Sequence, residues 1–123
     1  MSGGGEARVL GQWGEALVAE DLRQKGWTIA ATNFRCRMGE LDIVARNGRY
    51  LVFVEVKLRK NAAFGTAGAF VDRRKQEKLR ASAMLYLSRR PTDLQPRFDV
   101  VEVYAPRGTG TENPEIFHLE NAF

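Results

Sequence analysis

The chain is poor in the residues that most often build reactive sites. Its 123 residues include one cysteine, Cys36, and one histidine, His118. A single cysteine forms no internal disulfide and offers no zinc site, which agrees with a reducing compartment; its plain reading is a small, half-buried side chain. A single histidine excludes histidine-based triads and multi-histidine metal sites, and His118 is expected at the surface or on an edge. No apolar run approaches the roughly 20 residues that cross a bilayer. The opening Met-Ser-Gly-Gly-Gly-Glu lacks the basic-then-apolar build of a secretory signal, so a cytoplasmic protein without membrane contact is expected. Walker A loops, dinucleotide glycine motifs and internal repeats are absent from the sequence, and no nucleotide cofactor is expected. What remains is an ordinary globular composition, long enough for one domain with a real core. A formal net charge of +4 leans mildly toward a polyanionic partner.

The most informative stretch runs from Gly39 to Lys57, GELDIVARNGRYLVFVEVK. Two β-type runs flank Asn47-Gly48, the pair that most favours a two-residue type I′ turn because both positions need φ > 0. That turn sets Arg46 against Arg49, Val44 against Leu51, Asp42 against Phe53 and Glu40 against Glu55. Side chains alternate across a sheet, so Glu40, Asp42, Glu55 and Lys57 share one face with Val44, Leu51 and Phe53. The other face carries Leu41, Ile43, Ala45, Tyr50, Val52, Val54 and Val56. Three carboxylates and an ammonium at one end of an otherwise apolar face are costly unless neutralised. A divalent cation neutralises them, and hard carboxylate oxygens suit Mg²⁺ or Mn²⁺. The plainer alternative is an edge hairpin with cross-strand ion pairs.

Ahead of the hairpin, a small Gly-rich leader, Met1 to Val9, precedes a helix expected from about Gly11 to Lys25 and ended by Gly26. Glu15, Val18, Ala19 and Leu22 fall on one stripe of it, with Trp13 and Leu17 on the far side. Glu15 stands where an apolar residue is expected. Either its long side chain escapes to solvent or completes a cap, or the helix brings a fourth carboxylate to the hairpin. Trp27 to Arg37 reads as a first strand, on which Arg35 and Arg37 either pair phosphates or solvate an edge. Residues 62–70 read as a flexible, Gly/Ala-rich loop that could order on substrate. A second helix starts from an Asp72 N-cap and stops before Pro91. Leu79, Ala83, Tyr86 and Leu87 form its core stripe. Its first half, Arg73-Arg74-Lys75-Gln76-Glu77-Lys78, is either a solvated face or a phosphate-contacting patch. Strands follow at Arg97–Tyr104 and Glu115–Leu119.

Taken together, Gly14-Glu15, Gly39-Glu40-Leu41-Asp42, Phe53-Val-Glu-Val-Lys57 and Arg97-Phe-Asp99-Val-Val resemble the YraN family, over about Gly11 to Tyr104. Those are small bacterial proteins with a Holliday-junction-resolvase-like fold of the PD-(D/E)xK nuclease superfamily. The resemblance implies an α/β, restriction-endonuclease-like fold, a mixed β-sheet with a central hairpin flanked by helices. A flexible leader over 1–10 would precede one nuclease-like domain over 11–123. By matching position, Asp42 and Glu55 would be metal ligands, Glu15 a further or water-mediated ligand, and Lys57 the catalytic lysine. Glu40 is the glutamate just before that Asp, an auxiliary position without a settled role. Two departures stand out: Leu41-Asp42 replaces Pro-Asp, and Leu58 follows Lys57 where a hydroxyl residue is common. Neither removes a ligand.

The activity so implied is Mg²⁺- or Mn²⁺-dependent hydrolysis of phosphodiester bonds in DNA, branched DNA included, in recombination or repair. Arg35, Arg37, Arg59, Lys60, Arg73, Arg74 and Lys75 would track the backbone without reading bases. Cutting two symmetric strands would call for a homodimer, with Trp13 and Leu17 as candidate contacts. Two alternatives stand beside it: a non-cleaving nucleic-acid-binding protein that retains the fold, and an interaction protein whose hairpin charges are merely paired.

Overall fold

The computed structural model describes residues 3–61 and 71–123. The loop expected at 62–70 lies outside the described residues. The element order is α1 (Gly3–Gln24), β1 (Thr28–Cys36), β2 (Gly39–Asn47), β3 (Tyr50–Arg59), α2 (Arg73–Arg89), β4 (Gln95–Tyr104), a 3₁₀ turn (Gly108–Gly110) and β5 (Glu115–Leu119). The strands form one sheet in the order β1-β2-β3-β4-β5. Neighbours run antiparallel except β3 and β4, which are parallel and joined through α2. This is the expected α/β fold, a mixed sheet built on a central hairpin with helices on its faces.

Each helix covers one face because its apolar stripe demands it. Val18, Ala19 and Leu22 of α1 pack on Ile43, Ala45, Val52, Val54, Val101 and Val103. Leu79, Ala83 and Tyr86 of α2 pack on Leu41, Val44, Leu51, Phe53, Phe98 and Val100. Burying a Leu or Val fully is worth roughly 1.5–3 kcal/mol, so these two clusters dominate the stability of the sheet.

The helix ends follow local chemistry. Gly26 takes φ +91, and Trp27 N–H reaches Leu22 O while Gly26 N–H reaches Arg23 O, the paired bonds of a Schellman stop. Asp72 Oδ1 accepts Lys75 N–H at 2.8 Å and caps α2. Helix α1 begins at Gly3, well ahead of the expected Gly11. Its early turns run beside the 3₁₀ turn, where Leu10 abuts Gly108, and such tertiary contact outweighs the low helix propensity of glycine. Trp13 and Leu17 pack against the α1-side core rather than forming a separate patch.

The hairpin register departs from expectation by two residues. Asn47 pairs with Tyr50, Arg46 with Leu51 and Val44 with Phe53, so Gly48-Arg49 forms the loop instead of Asn47-Gly48. Gly48 sits at φ +60 in the first central position, the type II′ solution, in which one residue rather than two needs a positive φ. An even shift keeps residues on their faces, so Val44 and Phe53 still share one. Leu41 does change sides: it packs with Val44 in the α2-side cluster, not with Ile43. Across the ladder, Phe34 likewise packs with Ala31, and Asn33 between them takes φ 53. The alternation of both strands therefore breaks at the level of Asn33 and Asp42.

Candidate functional site

That break is where the carboxylates meet. The paired register of β2 with β3 ends at Ile43 and Val54. Past it, Asp42 comes level with Glu55, and Asp42 Oδ2 accepts the Val56 N–H at 2.9 Å. The side chain replaces a ladder bond, which fixes the carboxylate between the two faces of the sheet. From there its charge acts on both Glu15, carried by α1, and Glu55. Glu15 thus joins the hairpin carboxylates from the opposite face, and the Asn33 amide also hydrogen-bonds it.

The electrostatics are those of a site short of positive charge. Burial pushes Glu15 up to about 7, and the charges of Asp42 and Glu40 add to the rise. Burial likewise pushes Glu55 up to about 7, with Asp42 next and Lys75 opposing. Asp42 is raised by burial and by Glu40, against the Val56 hydrogen bond and Lys75. Among the described residues, Glu15 Oε1 is buried without a hydrogen-bond partner. Lys57 is held below its ordinary 10.5, first by burial and then by Arg59, while Glu55 and Glu102 pull it back. Lys57, Glu55, Val71, Asp72 and Lys75 line a concavity of about 340 Å³. Glu15 borders another of about 260 Å³ on the α1 side. A larger hollow of about 490 Å³ lies beside Leu10 and Gly108, away from these groups.

All the donors are carboxylate oxygens, one of them unsatisfied, which suits a hard divalent cation. Among the described residues, however, no three Asp, Glu, His or Cys side chains already form a metal cage. The ammonium of Lys75 stands 3.4 Å from Glu55 Oε2 instead. Asp42 acts on Glu15 on one side and on Glu55 on the other, with Lys57 beside Glu55; Glu40 lies opposite Arg35 in the β1–β2 ladder, 3.2 Å from its guanidinium, and its charge still reaches Glu15 and Asp42.

The basic residues divide. Lys75 lies against the carboxylates and Arg59 donates to Glu102 Oε2 at 2.6 Å, so both serve the site's own charge balance. Lys60, Arg73 and Arg74 are exposed, as is Arg37. Glu102 went unnoticed in the sequence. It is fully buried, directly opposite Lys57 in the parallel ladder. Its sign was a carboxylate in step with Phe98 and Val100 on a core face. Asn33 also escaped notice, because its part depends on a positive φ. His118 is on the edge strand but turned inward, 2.8 Å from Asp99 Oδ2, because the buried Asp99 carboxylate draws a polar partner in. Gly14 allows close packing of α1 on β3, since a Cβ there would lie 2.8 Å from Leu58 Cδ2. That contact gives Leu58 a packing role beside Lys57.

No described helix is long and apolar enough to cross a membrane. The chain is 41% identical over 122 residues to a UPF0102 protein of Geotalea daltonii, covering 98% of this chain and 94% of that one. It is 44% identical over 119 residues to a UPF0102 protein of Acetivibrio thermocellus, covering 94% and 92%. It is 45% identical over 115 residues to one from Syntrophotalea carbinolica, covering 93% and 90%. The profile of the uncharacterised protein family UPF0102 matches residues 14–103, a span from the glycine under Leu58 to the strand that carries Glu102. The chain belongs to this family, UPF0102, which is the YraN family.

Proposed function

We propose that the protein is a divalent-metal-dependent endonuclease that hydrolyses phosphodiester bonds in DNA, branched DNA included, in recombination or repair. The observation that carries this reading is Asp42 set between Glu15 of α1 and Glu55 of β3, with Lys57 beside Glu55 and, among the described residues, Glu15 Oε1 buried and unpartnered. Asp42 and Glu55, with Glu15, would hold Mg²⁺ or Mn²⁺. When bound, the ion supplies Lewis-acid polarisation of the phosphate and a bound water of lowered pKa. Asp42, held by the Val56 N–H, keeps its oxygens fixed without reorganisation. Lys57 orients the attacking water and offsets charge growing on the phosphate oxygens. Glu102, buried opposite Lys57 and paired to Arg59, steadies the cationic end of the site. Exposed Lys60, Arg73 and Arg74 give the strand affinity without base readout.

The test is cleavage of labelled four-way junction, flap, duplex and single-stranded DNA with Mg²⁺, Mn²⁺ or EDTA. Metal-dependent cutting that falls by about 10²–10³-fold in Lys57→Ala, with binding retained, is expected. Metal-dependent cutting that Lys57→Ala leaves untouched would remove this site from the reaction. A second reading, a binding protein that keeps the fold without cutting, draws on the placement of Lys75 at Glu55, where an internal cation supplies part of the missing charge. Tight, salt-sensitive binding with no cleavage of any substrate selects it.

A further inference from the structure

At the opposite end of α2 from Lys75, three arginines line one hollow. Arg35, Cys36, Arg37 and Met38, from the end of β1 and the turn after it, meet Leu85 and Arg89 of α2 around a space of about 450 Å³. Among the described residues, no carboxylate lines it. The hollows around Glu6, Glu55, Glu15 and Glu112 each carry at least one. Arg35 is partly neutralised by Glu40 at 3.2 Å, which leaves an excess of positive charge facing an open concavity with an apolar floor. The Cys36 thiol, hydrogen-bonded to Ser82 at 3.4 Å, is held below its ordinary 9.0 chiefly by that bond, and the Arg89 charge contributes. The charge of such a hollow suits an anion.

Its place in the fold says which anion. Glu40 joins the hollow to the carboxylate site, since it pairs with Arg35 and its charge acts on Asp42. Along α2, the 14 residue steps from Lys75 to Arg89 span about 21 Å at 1.5 Å each, or about six base steps of duplex. We propose that the hollow seats a backbone phosphate of a nucleic-acid strand lying along α2, with Arg37 and Arg89 on its oxygens and Met38 and Leu85 under the adjoining sugar or base. The identity of the polyanion rests on the reading above; the hollow itself does not depend on cleavage.

The experiment uses the sole thiol as a reporter. Cys36 of the full chain is alkylated with neutral iodoacetamide, with and without a saturating DNA duplex, and duplex affinity is measured against salt for Arg37→Ala and Arg89→Ala. The duplex is expected to slow alkylation several-fold. Each variant is expected to bind about tenfold more weakly, with a salt slope smaller by about 1. Wild-type affinity and slope in both variants would overturn the assignment, as would free-rate alkylation of Cys36 with duplex bound, or no duplex binding at all. Calorimetric Mg²⁺ titration of the same proteins reports on the carboxylate site separately. Protection of Cys36 without Mg²⁺ uptake keeps the phosphate site and sinks the metal. Mg²⁺ uptake without protection does the reverse.

Discussion

Asp42 and Asp99 lie on β2 and β4, the two strands that flank β3, and the protein treats them in opposite ways. Asp99 is fully buried and accepts from Arg97 Nε at 2.9 Å, Arg97 Nη2 at 3.0 Å and Asn121 N–H at 3.0 Å, with His118 Nε2 at 2.8 Å. Burial alone would raise its pKa. Its hydrogen bonds to His118, Arg97 and Asn121 together win, and it is held below its ordinary 3.8. Arg97 in turn stacks over the rings of Tyr50 and Trp27. Asp42, by contrast, has the Val56 backbone donor and the carboxylates of Glu15, Glu40 and Glu55 for neighbours, and burial and Glu40 raise it. A buried charge with a full set of partners holds the structure together. One left among like charges keeps free energy in reserve for a ligand.

The largest effect should come from breaking the satisfied side. Asp99→Ala leaves Arg97 buried without its partner and should destabilise the fold by about 3–5 kcal/mol, read as a fall in the urea midpoint. A loss below 1 kcal/mol would mean that the network is ornamental. The contrast then predicts opposite pH responses. Glu15 and Glu55 rise from 4.5 to about 7 on folding, so between those values the folded chain holds protons that the unfolded chain has released. Their cost to stability is nil below pH 4.5, grows as pH rises, and is complete above about 7. Asp99 runs the other way: it stabilises above pH 3.8, and the gain is lost as pH falls through its lowered folded value. In EDTA, Tm should therefore decline from pH 5 to pH 8. Excess Mg²⁺ at pH 8 should restore about 2 kcal/mol by binding the folded state, and a Tm indifferent to Mg²⁺ would remove the metal site. The smallest effect sharpens the same point. In EDTA at pH 8, Glu15→Gln should stabilise by about 1 kcal/mol, discounted for partial exposure, or about 3–5 °C. The gain should vanish near pH 4, and a destabilisation at pH 8 would show that Glu15 is structurally satisfied.

Much of this was legible in the chain. The Asp72 cap, the Gly26 stop, the Val18-Ala19-Leu22 stripe and the strand at Glu115–Leu119 follow from local chemistry, and the structure has them where the pattern puts them. The odd charge on the hairpin face flagged Asp42, Glu55 and Lys57, and the misplaced Glu15 flagged the helix. The register did not follow, because both Asn47-Gly48 and Gly48-Arg49 make acceptable turns and the choice falls to the packing of Val44, Phe53 and their neighbours. Nor did the inward turn of His118 or the burial of Glu102, since a strand's pattern does not say what its neighbour offers.

The sequence by itself determined the elements, the two apolar faces and which residues carry unusual charge, because those depend on periodicity and on residues adjacent in the chain. The tertiary structure alone decided that Asp42 stands between the faces, where the alternation breaks opposite Asn33, and can touch Glu15 from one helix and Glu55 from the next strand. It also decided that Lys75 and Arg59 reach carboxylates of the sheet while Arg37 and Arg89 remain on an open hollow. Those outcomes depend on which buried charge finds a partner across the sheet, and partners so distant in the chain meet only once it has folded.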